Sequence, residues 1–117
     1  VRLDSELWWQ AVKTQLDRRY YSDTEKLICW FFPSAEHRRA LWMCWHRSRF
    51  IRRHYPDAVT PGYGLFGLPL DAIPFAAANP DRAYDPIINV TAAVRLWELG
   101  GWAALNDGKE PEWPVGM

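Results

Sequence analysis

Residues 40–67, ALWMCWHRSRFIRRHYPDAVTPGYGLFG, decide how this chain folds, because helical periodicity ends inside them. Ala40, Leu41, Cys44, Trp45 and Ser48 recur at three- and four-residue spacing, which puts them on one face of a helix. After Phe50 that pattern fails. Tyr55-Pro56-Asp57 and Thr60-Pro61-Gly62-Tyr63-Gly64 are turn chemistry, in which Pro presets one backbone angle and Gly reaches angles other residues avoid. The reading is therefore a helix delivering the chain into a long irregular central segment.

Working towards the N-terminus, Ser34 is expected to cap this helix, with Glu36 in its first turn and arginines in its last, both favourable to the helix dipole. Pro33 stops the helix before it. That helix carries Leu27, Ile28 and Phe31 and is expected to begin at Ser22, where Ser22 and Glu25 spell a capping box. Residues 5–19 read as a first helix through Trp8, Ala11, Val12 and Leu16. Working the other way, residues 69–78 suit a short helix distorted by Pro74. The clearest element is 86–99: Asp85 caps it, Pro86 fills its first position and Gly100-Gly101 ends it. Ile87, Val90, Ala93, Val94 and Trp97 are its expected buried face. The polar, Pro-rich residues 106–117 form a tail that either frays or docks through Trp113. The fold class is mainly α: a single helical domain over residues 1–105, then the tail.

Composition narrows the function classes. The 117 residues suit one domain, and 49% hydrophobic with 24% charged residues argues against wholesale disorder. The net charge is zero, but residues 37–67 hold six Arg against Asp57, whereas residues 68–117 hold three basic and seven acidic side chains. Opposite surfaces of this kind guide association with oppositely charged partners, neighbouring copies included. Arg38, Arg39, Arg47, Arg49, Arg52 and Arg53 could meet phosphates, but the interleaved Trp42 and Trp45 belong to the buried helix face, so nucleic acid is not the expected partner. The eight Trp residues suit a core, a sugar-binding groove or an interface. Cys29 and Cys44 fit no zinc pattern, and a disulfide between them depends on how their helices pack. His37, His46 and His54 lack metal spacing, so no metal or cofactor is expected, and they read as surface or loop histidines. No apolar run reaches membrane-spanning length, and the start is not signal-like. Asn89-Val90-Thr91 spells a glycosylation sequon inside the clearest helix.

Two stretches in order carry a resemblance. Residues 40–67 resemble the core signature of the lysozyme-like lytic transglycosylases, in which a helix ends in Glu-Ser with an aromatic two residues on. An Ala-Val stretch and a Gly-Leu-Phe/Met-Gln turn follow. Ser48, Phe50, Ala58-Val59 and Gly64-Leu65-Phe66 stand at suitable spacing. Residues 85–102, DPIINVTAAVRLWELGGW, resemble the family's later helix. The resemblance implies a lysozyme-like helical domain and a glycan groove lined by Ser48, Tyr63, Gly64, Leu65, Phe66, Gly67, Asn89 and Trp102.

Two departures matter more than these matches. Arg47 stands where the resemblance places the catalytic Glu, and Gly67 where it places a Gln. Cleaving a glycosidic bond needs a carboxylic acid to protonate the leaving oxygen. Arginine stays charged at any ordinary pH and has no acceptor, so it cannot replace that acid. Arg47 is instead expected to pair with a carboxylate of the acidic C-terminal half and fill the cleft. Glu36 is about 16 Å away along the helix at about 1.5 Å per residue, which leaves Asp57 as the fallback acid. The resemblance thus implies a non-catalytic structural protein of a bacteriophage particle, in its tail or inner body. Its expected partners are other virion subunits, with peptidoglycan as a further one. The alternative is an active peptidoglycan muramidase using a displaced acid such as Asp57.

Overall fold

The computed structural model describes Leu7, Gln10 and residues 18–50, 62–74, 76 and 78–117. Three α-helices organise them: α1 (Arg18–Phe31), α2 (His37–Ser48) and α3 (Pro86–Gly100). Short 3-10 turns join them at Ser34–Glu36, Leu70–Ala72, Pro80–Tyr84 and Trp102–Leu105. No strand forms among the described residues; one isolated antiparallel bridge pairs Tyr63 with Leu68. The protein is mainly helical.

Pro33 ends α1 as expected, but the start differs. The helix already runs from Arg18, so Ser22 lies inside it rather than at its start. Of the expected first helix, Leu7 and Gln10 are helical, Arg18 and Arg19 open α1 instead, and the rest lies outside the described residues. Ser34 does not cap α2 either. A 3-10 turn intervenes, α2 begins at His37, and neither N-terminus has a side-chain cap. The cap of α3 is as read: the Asp85 carboxylate accepts from the backbone N–H of Ile87 at 2.9 Å and of Ile88 at 3.1 Å.

α1 packs on both α2 and α3, and the 3-10 turn at 102–105 closes over α3. Ile28 and Phe32, with Ala40, Leu41, Met43 and Cys44 of α2, meet Val90, Ala92 and Ala93 of α3 in one core. The buried face of α3 is rotated from the expected one, with Asn89 and Ala92 inside and Ile87 exposed, because the polar side chain of Asn89 is recruited inward. Phe32 stacks on Trp102 at 5.3 Å and meets Trp97 edge-on at 5.8 Å.

The C-terminal residues dock. Trp113 contacts Trp42 at 5.0 Å and Trp102 at 5.8 Å, while the Arg39 side chain donates to the Met117 carbonyl at 3.1 Å. Trp102 is buried, Trp42, Trp45, Trp97 and Trp113 are partly so, and Trp30 is 86% exposed. Trp8 and Trp9 lie outside the described residues.

Candidate functional site

Seven of the eight groove residues come together where the end of α2, the turn at 62–68 and the start of α3 meet, whereas Trp102 lies past the end of α3 and bonds to Glu36 ahead of α2. The turn is a tight reversal in which Tyr63 and Leu68 exchange backbone hydrogen bonds of 2.8 and 3.0 Å. Two side chains pin it. Ser48, in the last turn of α2, has its hydroxyl 2.8 Å from the Leu65 carbonyl and 3.0 Å from that of Cys44; its single proton serves one of them at a time. Asn89 lies in the first turns of α3 and is fully buried. Its Oδ1 accepts from the Phe66 N–H at 2.9 Å, and its Nδ2 donates to the carbonyls of Tyr63 at 2.9 Å and Ala83 at 3.0 Å. A buried amide left unpaired costs about 1–3 kcal/mol, so a side chain that completes three such bonds is strongly constrained. This also removes Asn89 from any role as a glycosylation acceptor in the folded chain.

Gly64 is required here. Its φ of +74° is left-handed, and a Cβ would sit 2.3 Å from Asn89 Nδ2 and 2.4 Å from the Ala83 carbonyl oxygen. Leu65, Phe66 and Gly67 are buried as well, as is Trp102, whose indole N–H donates to the Glu36 carboxylate at 2.7 Å. Of the eight groove residues, only Tyr63 keeps appreciable exposure, and its ring rests 6.0 Å from that of Tyr84. The other seven are turned into the packing. The resemblance marked their positions without indicating that their polar atoms are committed to the chain itself.

Arg47 lies beside this junction. The expected partner was a C-terminal carboxylate, but its Nη2 donates to the Gly67 carbonyl at 3.0 Å. Its stem crosses Gly67: a Cβ added there would lie 3.0 Å from Arg47 Cβ and 3.1 Å from Nε. Arg47 and Gly67 are therefore one packing event, because the arginine occupies the space a side chain at 67 would need. Past Arg47 an open pocket of about 310 Å³ remains, bounded by Pro69, Asp71, Leu96, Leu105 and Asp107. Asp57, the fallback acid, and Ala58-Val59 lie outside the described residues. Glu36 is committed to Trp102 and to Arg39, whose Nη1 is 3.3 Å from its Oε1.

Among the described residues, the basic run is not a free cationic stripe. Arg39 is held by Glu36 and Met117, Arg47 by Gly67, and Arg49 lies 4.3 Å from the centre of the Trp45 ring. Arg52 and Arg53 lie outside the described residues. His46 stacks on Trp42 at 4.8 Å. Burial lowers its pKa, and the charges of Arg47 and Arg49 lower it further. Among the described residues no cluster of His, Cys, Asp or Glu could hold a metal ion, and no helix is long and apolar enough to cross a membrane.

Both cysteines are free thiols. Cys44 is buried inside α2 and Cys29 is exposed on α1. One pairing escaped the sequence reading: His37 faces Cys29 across the break at Pro33, with Nδ1 3.6 Å from Sγ. An eight-residue separation signals such a contact only once the direction of the turn is known. Comparison with protein-family models, curated proteins and solved structures finds no match to this chain.

Proposed function

We propose that the chain is a non-catalytic protein on a lysozyme-like, transglycosylase-derived helical scaffold, serving as a structural component of a phage particle, in its tail or inner body. The observation that supports this most is the position of Arg47. At the place of the family's acid it offers only donors, and its guanidinium is tied at 3.0 Å to the carbonyl of the turn that would floor the groove. General acid–base catalysis is worth about a hundred- to ten-thousand-fold in rate, and a fixed cation beside the scissile oxygen supplies none of it. Exposed Trp30 and Leu99, each 86% accessible, offer apolar area for neighbouring subunits.

The test is turnover of purified peptidoglycan by the natural chain, Arg47→Glu and Asp57→Asn, read as soluble fragments released. The natural chain is expected to release none. Any gain in Arg47→Glu would identify the position as a lost acid. Turnover by the natural chain that disappears in Asp57→Asn would overturn the proposal in favour of a muramidase with a displaced acid. Sedimentation of the natural chain with peptidoglycan, without turnover, would add the wall as a partner.

A further inference from the structure

The corner between α1 and α2 holds a thiol–imidazole pair that the reading above does not use. α1 ends at Phe31, and Pro33 reverses the chain through the 3-10 turn at Ser34–Glu36. His37, the first residue of α2, is thereby laid against the last turn of α1. The Phe32 carbonyl lies 2.8 Å from His37 Nε2, which must carry a proton because a carbonyl can only accept. In the neutral ring this leaves the Nδ1 lone pair facing Cys29 Sγ at 3.6 Å. The backbone thus fixes both the tautomer and the direction of the imidazole, as a catalytic base is held by a third group. The thiol is exposed and opens on a pocket of about 310 Å³. Glu25, Ile28, Ser34 and Arg38 line that pocket.

We propose that Cys29 is a site of reversible S-thiolation, exchanging with small disulfides that enter this pocket while His37 carries the proton. The Cys29 proton passes to His37 Nδ1, and Sγ attacks one sulfur of the incoming disulfide. That S–S bond breaks as the Cys29 mixed disulfide forms. The second sulfur leaves as a thiolate and takes up the proton from His37. One disulfide is consumed and one formed, so no other oxidant is required. Cys44 is the internal control: it is fully buried, and desolvation holds its thiol well above the usual range.

The experiment incubates the intact, folded chain with glutathione disulfide and follows the adducts by mass spectrometry across a pH series. Glu25, Arg38 and His37 are the charged and titratable groups lining the pocket with Cys29. One adduct is expected per chain, on Cys29, removable by a dithiol and absent in Cys29→Ser. His37→Gln is expected to react about three- to tenfold more slowly near neutral pH, with its pH–rate profile displaced. Cys29 of the folded chain is also expected to outpace the same residue in the urea-unfolded chain, a comparison that decides the matter if His37→Gln does not fold. A folded-state rate no faster than the unfolded one overturns the proposal. So does an unchanged rate and profile in a folded His37→Gln.

Discussion

The turn junction and the α1–α2 corner are both built from polar side chains at the end of a helix, yet they spend those side chains in opposite ways. At the junction, Ser48 and Asn89 are buried and bonded to backbone groups of a turn with no helical partners of its own. At the corner, one nitrogen of His37 satisfies a helix-terminal carbonyl and the other faces an exposed thiol. A polar group whose capacity is filled from within the chain specifies a fold. One left partly open to solvent is free for chemistry. The motif-bearing region is therefore the structural one, and the proposed thiol–imidazole site lies in the region with no motif.

Four substitutions probe this contrast, the first with the largest expected effect. Asn89→Ala strands the buried Phe66 N–H and the Ala83 carbonyl and removes one of the two bonds to the Tyr63 carbonyl, which keeps the Leu68 N–H. A loss of about 3–5 kcal/mol is expected in urea unfolding, and a loss below about 1 kcal/mol would mean that the network is not structural. Gly67→Ala combines a φ of +58° with a Cβ pressed against Arg47, so about 1–3 kcal/mol is expected. Part of that cost should return in the Arg47→Ala, Gly67→Ala double variant, and strict additivity would break the coupling between the two positions. The smallest effect concerns His46. Its folded-state pKa lies below 6.5, so the unfolded chain binds more protons in that range and stability falls as pH drops through 6.5 towards the folded value. The ring is only half-buried, and solvent screening keeps the effect small. His46→Gln should flatten that part of a stability–pH curve.

Much of the fold was legible residue by residue. Pro33 stops α1 because it cannot continue a helix. Asp85-Pro86 starts α3 because the carboxylate takes the first free N–H groups and proline gives up none that is needed. The illegible parts depended on distant partners. Ser22 and Glu25 have the local pattern of a cap, yet the helix continues through them. Ile87 fits the apolar stripe of α3, but Asn89 claims the inner face because the turn's backbone needs its amide. The candidate site divides the same way: the positions of Ser48, Gly64 and Asn89 were marked in the sequence, and Ser48 lay on the apolar face of its helix, whereas the burial of Gly64 and Asn89 was not marked.

By itself the sequence determined the helical class, the helix stops and the chemical incapacity of residue 47 as an acid, since each follows from one residue's covalent structure or a few neighbours. Only the tertiary structure decided that Arg47 and Gly67 share one space, that the polar motif residues face inward, and that His37 meets Cys29. Those are contacts across turns, and a turn's direction is set by what the core will bury rather than by the residues on either side of it.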